Sequence, residues 1–106
     1  MSEIIRRHRE LIGKTAFKHL SRTEIITMCA IGLAGEVGEV TEPIKKALYH
    51  PGRSLADLDR VALSAELGDV IWYVHALAIQ FGLDLEQILQ QNADKLGRRH
   101  NISIGE

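Results

Sequence analysis

Apolar residues recur at intervals of three and four from end to end of the chain, and runs that alternate apolar with polar positions are short and few. That pattern predicts helices and leaves little room for strands. A first helix covers about Glu3 to Leu20, with Ile4, Leu11 and Ile12 on one side. Ser21 with Glu24 three residues on forms a capping box, which opens a long second helix to about Tyr49 with a possible bend at Pro43. His50-Pro51-Gly52 ends it. A third helix opens near Ser54 and runs to Phe81, where Gly82 supplies a left-handed stop. Asp84 and Gln87 cap a fourth, which continues through about Leu96. The expected fold is all-α, a four-helix, bundle-like single domain over residues 1–106. It has no internal repeat, low-complexity segment or interdomain linker.

On the second helix the apolar stripe is Cys29, Leu33, Val37, Val40 and Ile44, with Glu36 and Glu39 along one edge. On the third it is Leu63, Leu67, Val70, Val74 and Phe81, with Glu66 and Asp69 displaced to the same edge. The two acidic pairs are mirror images: Glu36 with Asp69, and Glu39 with Glu66, share one midpoint, between Gly52 and Arg53. Two helices joined by a turn there run antiparallel, so residues equidistant from the turn come level. Carboxylates brought to about 4 Å repel by roughly 4 kcal/mol per pair at an effective dielectric near 20. A folded chain avoids that arrangement unless a cation occupies it. The four acids are therefore candidate metal ligands and candidate catalytic residues.

Oxygen-only ligation favours Mg²⁺, with Mn²⁺ as a substitute, because hard divalent ions take carboxylates and keep water positions open for phosphate or a nucleophilic water. No Glu-x-x-His is present, so a carboxylate-histidine di-iron centre fits poorly. The plainer alternative is that each i, i+3 pair is solvated and loosely matched with Lys45, Lys46 or Arg60, at about 0 to 1 kcal/mol. Gly32, Gly35 and Gly38 sharpen the choice, since each costs roughly 1 kcal/mol against Ala inside a helix. Either another helix packs closely there or a ligand approaches the backbone beside Glu36 and Glu39.

Composition bounds the rest. With 13 basic and 14 acidic residues the formal net charge is −1, so no global field points to a nucleic acid polymer or an anionic membrane. Any phosphate binding must be local. Cys29 is the lone cysteine, and no uninterrupted apolar run reaches the ~18 residues of a membrane span. A soluble, cytoplasmic protein without a membrane partner is the expectation. At 106 residues a helical domain leaves apolar helix edges uncovered, which favours a homodimer or homotetramer. No P-loop pattern and no plausible nucleophilic Ser or Cys set is present, so covalent and P-loop chemistry have no support.

The run Gly32-Leu33-Ala34-Gly35-Glu36-Val37-Gly38-Glu39-Val40, the pair Lys45-Lys46, Glu66-Leu67-Gly68-Asp69-Val70 and Asn92-x-x-Lys95-Leu96-x-x-Arg99 closely resemble the MazG-like nucleotide pyrophosphohydrolases. The resemblance covers about residues 12 to 100. It implies an all-α, dimeric or tetrameric enzyme that converts nucleoside triphosphates to monophosphate and pyrophosphate with Mg²⁺. Gly35 stands where many relatives carry a further acid before Glu36, which bears on subgroup and substrate. Lys46, two turns after Glu39, is the phosphate candidate on the second helix. Asn92, Lys95 and Arg99 share one face of the fourth helix and match the family's substrate-contacting motif; without the resemblance, the two basic residues read equally as a helix-dipole complement. Tyr73, one turn after Asp69, is a further candidate for the substrate groove. Trp72, His8 and His19 read as core or subunit-interface residues.

The mechanism this implies is attack of a metal-activated water on the α-phosphorus, with Glu36 or Glu39 able to hold or deprotonate that water. The runner-up enzymes act on a single nucleotide, dUTP, dCTP or phosphoribosyl-ATP. The alternative outside enzymes is a helical module that binds metal or nucleotide without turnover.

Overall fold

Side chains that satisfy the first free amides set where each helix starts. Ser21 Oγ accepts from the Glu24 amide at 3.2 Å while Glu24 accepts from the Ser21 amide at 3.1 Å, closing the expected capping box. Asp59 Oδ1 accepts from the Ala62 amide at 3.0 Å, and Asp84 Oδ1 from the Glu86 amide at 2.8 Å. The computed structural model describes residues 2–102. It places α1 at Glu3–Thr15, α2 at Arg22–Tyr49, α3 at Arg60–Gln80 and α4 at Leu85–His100, with a 3-10 turn at Leu55–Asp57 before α3. Among the described residues there is no strand, and the fold is all-α.

Several boundaries differ from the expected ones. α1 stops at Thr15, five residues early, because Ala16 is extended and Phe17 takes a positive φ of 49°. That reversal carries the Phe17 ring edge-on to Trp72, 5.8 Å between centroids. Ser54 caps only the 3-10 turn, so α3 begins six residues later than expected, at Arg60. α4 runs past Leu96 to His100 and ends on Asn101 in the left-handed conformation. Pro43 is buried and α2 continues through it without interruption. Gly82, with a φ of +66°, closes α3 as expected.

α2 and α3 form the main packed pair, α1 lies against α3, and the 3-10 turn touches α2. The buried core is small: Ile12, Cys29 and Ala76, flanked by Ile25, Trp72, Tyr73 and Leu77. His75 is buried beside it, and its Nδ1 lies 2.7 Å from Nδ1 of the half-buried His8. His8 and Trp72 thus join the packed side, while His19 is exposed. The expected stripes are only partly covered, since Val37, Leu67 and Phe81 remain about half exposed. The radius of gyration is 17.1 Å, against about 13 Å for a compact domain of this length. Large exposed apolar side chains, Ile31 at 69% and Val61 at 82% among them, lie along these helices.

α3 is long and apolar enough to cross a membrane by length and composition alone. It is not an uninterrupted apolar run, since Glu66 and Asp69 lie within it. It packs along α2.

Candidate active site

The turn between α2 and α3 fixes the level at which the two helices meet. Gly52 takes a φ of +77°, the Arg53 amide donates to the His50 carbonyl at 3.1 Å, and Asp57 Oδ2 accepts from the Ser54 amide at 2.8 Å. From that turn the helices run back antiparallel and bring Glu36, Glu66 and Asp69 together, with one oxygen of each within 4.8 Å of the others. Partial burial, then the charges of Asp69, Glu66 and Glu39, push the Glu36 carboxyl above the usual carboxylate range. No lysine or arginine pairs with these three acids among the described residues.

The donor set is all oxygen, half-buried to exposed, which is the ligand chemistry of Mg²⁺ or Mn²⁺. Oxygens around a Mg²⁺ at about 2.1 Å lie roughly 3 to 4 Å apart. The trio therefore fits one such ion after small side-chain movements.

Glu39 stands outside the trio. It lines an adjoining cavity of about 370 Å³ together with Glu66, Lys46 and Arg53, over a floor that includes Pro43 and Ala47. Glu66 is common to both places, so the expected cluster of four is a trio with a neighbour. Lys46 shares this cavity with Glu39 and Glu66. Arg53 was not among the sequence candidates. Its one signal was its position, a cation at the mirror point of the acidic pairs.

Tyr73 does not line that cavity. Its ring lies over Gly32, where a methyl group would overlap it, and edge-on to Trp72 at 5.0 Å. Close helix packing therefore accounts for Gly32. It does not account for Gly35 and Gly38, which have nothing within 4 Å of where a side chain would begin. The ligand alternative stays open there, as does the approach of a second copy.

Asn92, Lys95 and Arg99 are exposed on α4, and none lines the cavity. Among the described residues none of the three forms an ion pair or hydrogen bond with the four acids. α4 leaves the far end of α3, eleven residues beyond Asp69 or about 16 Å of helical rise. It packs against no other helix to the extent of the pairings above.

Residues 26–103 match the model of the MazG nucleotide pyrophosphohydrolase domain. The chain is 40% identical over 81 residues to the Gene 37 protein of Mycobacterium phage L5, covering 76% of this chain and 71% of the phage protein. It is also 28% identical over 106 residues to dCTP pyrophosphatase 1 of Bos taurus, covering 98% of this chain and 61% of the bovine protein. No solved structure matches it.

Proposed function

From the premise that the chain belongs to the MazG nucleotide pyrophosphohydrolase family, we propose that it hydrolyses nucleoside triphosphates to monophosphate and pyrophosphate with Mg²⁺. The observation that carries this reading is the convergence of Glu36, Glu66 and Asp69 beside a cavity that also holds Lys46. Those three carboxylates would hold the ion, with Mn²⁺ as a substitute. When bound, the ion neutralises phosphate charge and lowers the pKa of a coordinated water.

Glu39, next to Glu66 and outside the trio, orients or deprotonates the attacking water. Lys46 stabilises the charge that develops on the departing phosphates. Tyr73, wedged between Gly32 and Trp72, forms a rigid wall one turn beyond Asp69 against which the nucleoside can rest. Asn92, Lys95 and Arg99 complete the groove of a neighbouring copy in a homodimer or homotetramer. The exposed apolar helix edges, the open space at Gly35 and Gly38 and the lack of extensive packing on α4 support that assembly. The whole of residues 1–106 acts as one domain. Its buried free thiol suits the reducing cytoplasm.

A second reading, with dCTP as the preferred substrate, is favoured by the match to the bovine dCTP pyrophosphatase. A panel of nucleotides with Mg²⁺, read as pyrophosphate release, decides between the broad and the narrow enzyme. Hydrolysis in ¹⁸O-labelled water decides the bond. Label is expected in the nucleoside monophosphate and none in pyrophosphate. Label in pyrophosphate, or diphosphate and orthophosphate as first products, overturns attack at the α-phosphorus.

A further inference from the structure

Arg53 has no part in the reading above, yet the turn holds it firmly. Its amide donates to the His50 carbonyl at 3.1 Å and its Nη2 to the Asp57 carbonyl at 3.3 Å. A guanidinium carries five N–H donors in a planar fork, so one bond to the turn leaves most of the fork free to bind an anion.

The other charges around the cavity sharpen the point. Glu42 is paired with Lys45 at 3.6 Å, Asp57 accepts from the Ser54 amide, and Asp59 caps α3 through the Ala62 amide. Each of those acids has one partner and spare acceptor capacity. Glu39 and Glu66 toward the trio, and Lys46 and Arg53 toward the turn, have no charged partner among the described residues. Among the described residues neither of these cations makes an ion pair within 4.0 Å, although free carboxylates line the same cavity. Exposed charges of opposite sign are stable unpaired in water, and a ligand that offers cations to the acids and anionic oxygens to the bases would bridge them. A metal-bound polyphosphate is such a ligand. Lys46 lies about 15 Å of helical rise from Glu36 and about 10 Å from Glu39. A phosphate chain that begins at the trio and runs toward the turn would approach the two cations, which line one cavity with Glu39 and Glu66.

We propose that Arg53, together with Lys46, grips the terminal phosphate of the substrate and makes the site select triphosphates over diphosphates. The proposal rests on the pyrophosphohydrolase reading for its substrate and is tested apart from it. Arg53→Gln keeps a donor for the Asp57 carbonyl without the charge, and Arg53→Lys keeps the charge without the fork. Arg53→Gln is expected to lower kcat/KM for a nucleoside triphosphate about 10- to 100-fold, as for a lost charge-assisted bidentate contact. The rate on the matching diphosphate should stay within about twofold, and Arg53→Lys should fall between. Equal losses on both substrates, or no loss on the triphosphate, would overturn the proposal. Calorimetry with inorganic tripolyphosphate and pyrophosphate, each with Mg²⁺, supplies the independent arm. The wild type should prefer tripolyphosphate and Arg53→Gln should abolish that preference. If no nucleotide is turned over but this preference depends on Arg53, the enzyme reading falls and the terminal-phosphate grip stands. If nucleotides are turned over and the preference is absent or ignores Arg53, the grip falls and the enzyme reading stands.

Discussion

From Arg60 to Asp69 no residue of α3 is buried, and Glu66 and Asp69 sit beside Glu36 with no cation paired to them among the described residues. From Val70 to Gln80 only Ile71 is exposed, and the one buried polar group, His75, has a partner in His8 at 2.7 Å. Both halves lie on one continuous helix. In the second half the chain meets its own polar requirements, as buried groups must. In the first half Glu66 and Asp69 meet solvent rather than a cation of the chain, and water solvates them. The metal site proposed above lies in this unpaired cluster, next to a core whose buried polar groups are satisfied.

The largest expected effect separates the two halves outright. Glu39→Gln and Asp69→Asn should each lower kcat at least about 1,000-fold, roughly 4 kcal/mol of transition-state stabilisation, while leaving the fold intact. Removing an acid from a repelling set should hold or raise the metal-free melting temperature. Near wild-type turnover in either variant would remove the basis for the site.

The reverse substitution belongs to the core. Ile12→Ala, at a site 3% exposed between α1 and α3, should cost about 2 to 5 kcal/mol in denaturant unfolding. Activity per folded molecule should stay close to wild type. A selective loss of turnover without destabilisation would mean that the two regions are not separable.

Mg²⁺ should raise stability by about 2.7 kcal/mol at a hundredfold excess over its dissociation constant, and Na⁺ at equal ionic strength should not. Asp69→Asn should blunt that response and Ile12→Ala should keep it. Identical melting shifts in the two salts would argue against a specific ion site.

The smallest effect is in pH, where the two regions should have opposite signs. Burial, with the charges of His8 and Arg9 and against that of Asp84, holds His75 below the usual imidazole range. The unfolded chain then binds a proton near pH ~6.5 that the folded chain refuses. Stability is present above that value and lost as pH falls toward the folded pKa, by at most about 1.4 kcal/mol per pH unit for one proton. Glu36 runs the other way. Its folded carboxyl is raised, so its contribution is present at low pH and lost as pH rises through the folded pKa. Metal-free melts between about pH 5 and pH 7 should steepen in Glu36→Gln and flatten in His75→Phe. Slopes that ignore both substitutions would show that neither group is coupled to folding.

The helix count, the capping boxes and the level of the acids across the turn follow from short-range chemistry, so they are legible in the sequence. Ser21 and Glu24 cap α2 whatever lies beyond, and a 1.5 Å rise brings positions equidistant from a turn into line. Tertiary contacts decided what local rules could not reach. Phe17 leaves the helix to meet Trp72, so α1 ends early. Gly32 is small because Tyr73 covers it, a contact with another helix and forty-one positions away. Arg53 joins Lys46 in a cavity lined by α2, the turn and α3, and Glu39 lines it outside the trio. Asn92, Lys95 and Arg99 share a face by their spacing alone, but what that face meets depends on where α4 docks. Spacing along a helix sets which side chains stand together on it. Which faces then meet is decided by long-range burial of apolar surface, and that burial is summed over the whole assembly rather than encoded in any one segment.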